Sequence, residues 1–174
     1  FFKISQLLKT SLAKIDTNKL RITSKRGQSS LPAIFPITPA FARIIGYIIA
    51  EGCFTKNSVI ITNSDREFLT DLDQCLEEIS VLHFFANKGI IIAERPFIEL
   101  LKQIGVSGKS GRKVVPPLLF NVKREIVANF LKAYLEGDGG VENNVFVTAT
   151  SKSKQLISEI TYLLSFFGII ARIS

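Results

Sequence analysis

Hydrophobic and polar positions along this chain change period several times, and each change predicts a new element. Where apolar residues recur every three or four positions the pattern predicts a helix, and where they alternate it predicts a strand. Thr38 and Pro39 begin the first helix with an N-cap and a first-turn proline. Residues 37–121 therefore follow the order αββαββα, with a helix over 39–51, a hairpin over 53–62, a helix over 65–79, a hairpin over 81–93 and a helix over 96–104.

The same order begins again at residue 122 but does not finish. Relative to the first half, a strand and the closing helix are missing, so either the C-terminus lies outside this sequence or the second half is truncated. The predicted fold class is α+β, a pseudo-twofold pair of such halves with antiparallel sheets. For 122–174 the pattern predicts a helix from 123 or 124 to 138, a hairpin over 141–148, a helix from 151 or 153 to 167 and a strand over 169–173.

Two apolar helical runs end in the same way, with an acid followed by glycine. They span 44–52 and 131–139, and aligning their final glycines places Glu51 opposite Asp138. Each glycine is in position to stop its helix as the C′ residue. A buried helix with an ordinary surface acid just past it explains either run alone. Because the two runs align residue by residue, the pair instead favours an internal repeat in which both acids have the same function.

Each run also carries two small residues four positions apart, which lie on one face of a helix. Without bulk on that face two helix backbones can approach closely, so the runs are predicted to pack against each other there. Glu51 and Asp138 would then emerge side by side at the helix ends. The predicted interface consists of Gly46, Ala50, Ala133 and Gly137.

Two carboxylates at the C-terminal ends of helices are electrostatically unfavourable unless a cation joins them. The helix dipole is negative there, and the last carbonyl groups have no partner within the helix. Oxygen-only ligands suit Mg²⁺, or another divalent cation such as Mn²⁺. The predicted ligands are the carboxylates of Glu51 and Asp138 with backbone carbonyls near Ala50 and Gly137.

These motifs resemble the paired signature motifs of LAGLIDADG homing endonucleases in their single-chain, two-motif form. The block 113–116, Lys-Val-Val-Pro, is similar to the Lys-x-hydrophobic-Pro block between the motifs of intein-encoded and archaeal members. The stretch 163–169, Leu-Leu-Ser-Phe-Phe-Gly-Ile, is similar to the helix-ending block after their second motif. The resemblance covers 37–174, with the four blocks in the expected order.

The resemblance implies a metal-dependent endonuclease that cleaves both strands of a long DNA site and leaves short 3′ overhangs. Glu51 and Asp138 would each serve one strand. Lys113 would polarise the attacking water or stabilise the phosphate in one site, and its second-half equivalent would lie after residue 174. A plainer role for Lys113, as one more cation in a phosphate-contacting loop, stays open. The protein would act as a monomer or together with a missing C-terminal portion.

The predicted hairpins supply the candidate DNA contacts, because two-stranded ribbons fit the major groove. Alternate residues of each strand would face the DNA, and the others would face the covering helices. Residues 1–36 are rich in cations, with apolar residues at helical spacing over 2–12. This segment is expected to be a basic arm or the tail of a preceding domain, which could add DNA contacts, or else a solvated linker helix. The candidates are Thr55, Lys56, Asn57, Ser58 and Thr62 on the first hairpin, Asn143, Asn144, Thr148 and Thr150 on the second, and Lys109, Arg112, Lys152 and Lys154 for phosphates.

Composition agrees with a nucleic-acid partner. The chain has 174 residues, 47% of them hydrophobic, and a formal net charge of +7, which favours a polyanion through counterion release. No segment is long and apolar enough to span a membrane. With His83 as its only histidine, expected in a strand, the sequence excludes histidine triads and zinc clusters. Cys53 and Cys75 have no metal-ligand spacing, so both are expected to be buried or half-buried thiols in a reducing, intracellular compartment.

Three function classes compete for this pattern. They are an endonuclease, a non-catalytic nucleic-acid binder such as an RNA maturase or transcription regulator, and a structural module of an intein whose cutting activity has decayed. Retention of both Glu51 and Asp138 favours the endonuclease, because binding alone tolerates their loss. The run 108–110, Gly-Lys-Ser, is not a nucleotide-binding loop, since Gln103 stands where that pattern needs glycine. Protein splicing is not predicted, because neither end of the sequence carries the residues it needs.

Overall fold

The structure, a computed structural model, divides the chain into two compact units, Phe1–Pro36 and Ile37–Ser174. In the smaller unit, strands β1 (Arg21–Thr23) and β2 (Ser30–Pro32) form an antiparallel pair. The helical pattern over 2–12 lies outside the described residues. The structure describes residues 16, 19–23, 29–106, 110–142 and 146–173.

The first half of the larger unit follows the predicted order αββαββα, which is thereby confirmed. Thr38 caps the first helix, because its hydroxyl accepts the Phe41 N–H at 3.1 Å. Asp65 caps the second helix in the same way, since its carboxylate accepts the Glu67 N–H at 2.8 Å. The elements are α1 (Pro39–Glu51), β3 (Gly52–Phe54), β4 (Val59–Thr62), α2 (Arg66–Glu78), β5 (His83–Ala86), β6 (Gly89–Ile92) and α3 (Arg95–Gln103).

Strands β3 to β6 form one antiparallel sheet in the order β3-β4-β6-β5. Its inner face carries the buried side chains of β4 and β6 beneath helices α1 and α2. Its outer face carries the alternate residues, and Cys53 lies there. The prediction that both cysteines are buried or half-buried is therefore wrong for Cys53, which is exposed, and holds for Cys75. Strand alternation explains the difference, because β3 turns Cys53 away from the helices. The inner-face residues are Val59, Ile61, Ile90 and Ile92.

The second half repeats the first helix, the hairpin and the second helix. Ser153 caps that second helix by accepting the Leu156 N–H at 3.2 Å. The predicted strand over 169–173 is wrong, because these residues form no strand and Ile170 is 98% exposed. A strand needs a hydrogen-bonded neighbour, and the described strands of this half pair only with each other. The elements are α4 (Arg124–Asp138), β7 (Gly139–Glu142), β8 (Phe146–Ala149) and α5 (Lys154–Ser165).

Helix α1 is the centre of the larger unit, because residues 40–50 are all buried. The one charged side chain within that stretch, Arg43, is only 8% exposed. Its guanidinium donates to Asp71 Oδ2 at 2.6 Å and to Glu136 Oε2 at 3.1 Å. The Tyr47 hydroxyl lies 2.7 Å from both carboxylate oxygens. The buried charge is therefore fully partnered. In the described part of the chain, no helix has the length and apolarity that crossing a membrane requires.

Candidate active site

Helices α1 and α4 pack where small residues of the two helices face each other. A β-carbon added to Gly46 would lie 2.6 Å from the Phe130 carbonyl oxygen and 2.8 Å from Ala133 Cβ. Nearer the helix ends, a β-carbon added to Gly137 would overlap Ala50 Cβ. The two backbones can approach this closely only because glycine occupies both positions. The structure thus brings together all four residues of the predicted interface.

Each acid is the last residue of its helix, and the glycine after it begins a strand. Gly52 has φ −75° and ψ 138°, and Gly139 has φ −92° and ψ 160°. Both helices end at these glycines, as predicted. The glycines are extended, however, and do not adopt the left-handed conformation usual for a C′ glycine. A β-carbon here would instead collide with the carbonyl oxygens of Ile48 and Leu135. The helix passes directly into the strand, which fixes the acid at the junction.

Glu51 and Asp138 share one environment at these junctions. The β-position of Gly137 lies 3.5 Å from Glu51 Cγ, so the Glu51 side chain reaches the last turn of α4. Burial raises the pKa of Asp138 to about 6, an effect that Lys113 opposes and Glu51 reinforces. The pKa of one carboxyl therefore responds to the charges of both other groups.

Lys113 supplies the positive charge of this site. Its Nζ donates to the carbonyl oxygens of Ile49 at 2.6 Å and Ala50 at 3.0 Å. Both carbonyls belong to the last turn of α1, where the helix leaves acceptors without helical partners. Burial lowers the pKa of Lys113, while Asp138 and Glu51 act in the opposite direction. The ammonium thus satisfies the negative end of the helix that carries Glu51.

Two polar side chains of the second half hold the segment that carries Lys113. The Ser153 hydroxyl donates to the Lys113 carbonyl at 2.7 Å. The Glu159 carboxylate accepts the Val115 N–H, also at 2.7 Å. Sequence reasoning named Ser153 only as a possible helix start and missed Glu159, which gave no signal beyond its place on an amphipathic helix. The lysine is therefore positioned by contacts far away in sequence.

The oxygen atoms available to a metal ion are those of two carboxylates and nearby backbone carbonyls. No group of three or more His, Cys, Asp and Glu side chains comes together among the described residues. Glu51 and Asp138 still fit a divalent ion, because Mg²⁺ binds through one or two carboxylates and keeps several waters. The Ala50 carbonyl, a predicted ligand, already accepts from Lys113. A cation bound to the same oxygen would lie close to the Lys113 ammonium, and the repulsion between the two charges opposes that ligation.

The two halves of this site match a known family. A model described as "LAGLIDADG-like domain" matches residues 38–82 and 125–174, which together exceed half of the chain. These segments contain both motif helices and both acids. The chain belongs to the LAGLIDADG family.

This LAGLIDADG chain is similar to archaeal proteins of several kinds. It is 33% identical to the DNA polymerase II large subunit of Thermococcus kodakarensis over 83% of this chain and 9% of that protein. It is 31% identical to the replication factor C small subunit of the same organism, over 82% of this chain and 17% of that protein. An uncharacterized protein of Methanocaldococcus jannaschii is 26% identical over 95% of this chain and 21% of that protein. The chain spans 9% to 21% of the length of these relatives.

Solved structures confirm the α+β fold of the LAGLIDADG chain. The N-terminal LAGLIDADG domain of DUF199/WhiA aligns with a TM-score of 0.55 and 14% identity, over 82% of this chain and 72% of that one. The homing endonuclease I-DmoI, in complex with DNA and Mn, aligns with a TM-score of 0.53 and 13% identity, over 80% and 83%. At such identities the likeness concerns the fold alone.

The predicted DNA contacts of the first LAGLIDADG hairpin lie around its turn and at its far end. Lys56 and Asn57 are exposed at the turn between β3 and β4, and Thr62 is exposed at the end of β4. The hydroxyls of Thr55 and Ser58 lie 2.7 Å apart and close the turn. These two side chains are therefore engaged within the hairpin. Asn57 Oδ1 accepts from Arg95 Nη2 at 3.4 Å, while Lys56 and Thr62 are exposed.

Among the predicted contacts of the second half and the phosphate-binding candidates, those that the structure describes are mostly exposed. Thr148 is half-buried on β8, and its hydroxyl donates to the Gly140 carbonyl at 3.4 Å. Four side chains are exposed, namely Arg112, Thr150, Lys152 and Lys154. Three candidates lie outside the described residues, namely Lys109, Asn143 and Asn144.

Proposed function

We propose that this chain is a site-specific double-strand DNA endonuclease, an intein- or intron-associated homing endonuclease that hydrolyses phosphodiesters with a divalent cation. The observation that carries the proposal is the meeting of Glu51, Asp138 and Lys113 at the ends of two tightly packed helices. Two acids and a cation at one point suit phosphodiester chemistry, which needs charge neutralisation and control of protons.

The two carboxylates would hold Mg²⁺ or Mn²⁺, which when bound supplies Lewis acidity toward the scissile phosphate. Carbonyl oxygens near Ala50 and Gly137 are the further candidate ligands. Burial keeps the Asp138 pKa at about 6, so this carboxyl is mostly ionised at neutral pH and ready to ligate. Each acid would serve one DNA strand, because each helix delivers one of them.

Lys113 would act on the phosphate or the attacking water from the first-helix side. Its ammonium is already held near both acids by two carbonyl hydrogen bonds. A short rotation of a flexible side chain is enough to redirect such a point charge toward a developing oxyanion. The fixed segment from 113 to 115 keeps the lysine within that reach.

The partner would be duplex DNA with a long recognition site. The net charge of +7, together with the exposed cations Lys56, Arg112, Lys152 and Lys154, supports binding to phosphates. The similarity to I-DmoI, whose structure contains DNA and Mn, supports the same partner and ion class. The protein would work as a monomer or with a C-terminal continuation. An exposed free thiol at Cys53 favours a reducing intracellular compartment.

A second candidate function is nucleic-acid binding without cleavage, as in a regulator. It is favoured by one observation, the equally good structural match to the WhiA domain. The presence of an acid at both helix ends speaks against it, because binding alone gives no reason to keep two carboxylates in a partly buried, unfavourable position.

Cleavage of a randomised duplex library distinguishes the endonuclease from a nucleic-acid binder that does not cleave. We expect the parent to cut a subset of sequences with Mg²⁺ or Mn²⁺ and to stop with EDTA. Glu51→Gln and Asp138→Asn should bind the same sequences without cutting them. Glu77→Gln, an exposed acid on α2, is the matched control and should cut normally. A parent that binds selected duplexes but leaves them intact with every divalent ion would assign the chain to the second class.

A further inference from the structure

The outer face of the sheet β3-β4-β6-β5 carries a continuous apolar row. The strand register places Cys53 opposite Ile60, Ile60 opposite Ile91, and Ile91 opposite Phe84. Phe84 is 48% exposed and Cys53 is exposed, while Ile60 and Ile91 are half-buried. One side chain from each of the four strands therefore forms a single apolar stripe on the side away from the helices.

This stripe has no hydrogen-bonding capacity suited to reading base edges. The neighbouring row on the same face consists of Thr62, Gly89 and Ala86, so it adds one hydroxyl only. A sheet that distinguishes bases by hydrogen bonds would instead carry amide or guanidinium side chains at these positions. The apolar composition therefore calls for a different kind of contact with the partner.

Cations stand on both sides of the stripe, beyond the two ends of the strands that it crosses. Arg95 Nη2 donates to Asn57 Oδ1 at 3.4 Å, which places it beside the β3–β4 turn with Lys56. Lys88 lies at the opposite end, where its carbonyl accepts the Asn63 N–H at 3.1 Å. An apolar centre between positive ends complements a groove whose floor carries methyl groups and whose walls carry phosphates.

We propose that the row Cys53, Ile60, Ile91 and Phe84 reads thymine methyl groups in the major groove, which gives the protein a preference for thymine at those positions. This inference rests on the proposed DNA partner. Strands β4, β5 and β6 have four residues each, a length of about 13 Å at about 3.3 Å per residue, which is close to the major-groove width of about 12 Å. Strand β3 begins directly after Glu51, so Cys53 begins the row two residues beyond one proposed catalytic acid.

Replacing thymine by deoxyuridine tests the inference, because it removes the C5-methyl group and nothing else. Duplexes are first selected from a randomised library for binding to the parent in EDTA. Each thymine of a selected duplex is then replaced singly, and the dissociation constant is measured. We expect a loss of about fourfold at the thymines under the row, the factor for burying one methyl-sized group, and less than about twofold elsewhere.

Two adjacent phenylalanines on the edge strand β5 give matched variants. Phe84→Ser changes the outer row, whereas Phe85→Ser changes the inner side, where Phe85 pairs with Ile90 and is 60% exposed. Phe84→Ser should abolish the sensitivity to deoxyuridine at one or more positions, and Phe85→Ser should keep it. The scan with the parent protein stands even if a variant fails to fold.

Each other outcome overturns the inference in a recognisable way. Selected duplexes that bind equally well with thymine and deoxyuridine would remove methyl reading while leaving the proposed endonuclease intact. A parent that selects no duplex at all would remove the DNA partner as well. A parent that sediments as a dimer, and becomes monomeric on Phe84→Ser, would make the row an interface between protein copies.

Discussion

The clearest consequence of the site geometry is that Asp138 destabilises the protein when no metal is bound. Burial and the nearby Glu51 raise its pKa to about 6, although Lys113 acts against the rise. The ordinary value is 3.8. Because the folded pKa lies above the unfolded one, the stabilising contribution is complete below about pH 3.8 and is lost as pH rises through about 6. We therefore expect Asp138→Asn to stabilise the metal-free protein at neutral pH.

The size of the effect follows from the shift in pKa. A rise of roughly two units corresponds to about 3 kcal/mol. Asp138 is only partly buried, so solvent screening reduces this to about 1.5 kcal/mol. Asp138→Asn should thus raise the free energy of unfolding by about 1.5 kcal/mol near about pH 7.5. The gain should shrink toward zero near about pH 4, where the folded carboxyl is neutral in the parent as well.

Urea unfolding in EDTA measures this difference at both pH values. The exposed acid Glu77 gives the control, since Glu77→Gln should leave the free energy of unfolding unchanged at either pH. Added Mn²⁺ should stabilise the parent and have a smaller effect on Asp138→Asn, because a ligand stabilises only the state that binds it. An increase in the free energy of unfolding that is equal at both pH values would refute the conclusion that ionised Asp138 destabilises the protein. A loss of stability in Asp138→Asn near neutral pH would refute it as well.

Three further predictions concern the helix pair and its charges. Gly46→Ala should lower the free energy of unfolding by about 1–3 kcal/mol, measured by thermal unfolding, because the added β-carbon would collide with the facing backbone. Gly111→Ala is the control and should leave stability unchanged, because a β-carbon added there has no atom within 4 Å. Arg43→Met should lower the free energy of unfolding by at least about 2 kcal/mol, since two carboxylates lose their buried partner. Lys113→Met should tighten Mn²⁺ binding at least about fivefold, measured by electron paramagnetic resonance, because a competing charge is removed, while DNA cleavage falls.

Most of the fold could be predicted from the sequence because its elements are marked by local signals such as helix caps. Thr38 and Asp65 mark the starts of α1 and α2 with side chains that accept first-turn N–H groups, and such caps depend on a few neighbouring residues. The strand predicted over 169–173 failed for the opposite reason. Its residues have strand-like composition, but a strand exists only where another strand offers hydrogen bonds, and composition does not report that partner.

The candidate site also has a part that local patterns predict and a part that they do not. The acids Glu51 and Asp138 could be placed at helix ends because glycine and small residues recur at fixed distances within each motif. The contacts of Lys113 with Ile49 and Ala50 could not be found from any local pattern, since they join positions 63 or 64 residues apart. The bond from Arg43 to Glu136 spans 93 residues. Such contacts are decided by helix packing, which a pattern of periods does not specify.

The sequence repeat builds an asymmetric site, and the asymmetry has an identifiable origin. Tyr47 and Tyr134 occupy equivalent positions in the two motifs, yet only Tyr47 has a charged network around its hydroxyl. The Tyr134 hydroxyl is buried without a hydrogen-bond partner among the described residues. Phe130 stands where the first motif has Arg43, so the second motif has no cation at the position equivalent to the one that pairs with the Tyr47 hydroxyl.

Lys113 adds to this imbalance because it binds the carbonyls of α1 alone. The negative end of the first helix is therefore neutralised in the metal-free state. For α4, the described bonds include no such cation on a last-turn carbonyl, and there the acid pKa is raised. A cation entering the site therefore offsets the electrostatic cost of an ionised Asp138, whereas near the Ala50 carbonyl it meets the Lys113 ammonium. The two motif acids thus have unequal surroundings even though the motifs that carry them align residue by residue.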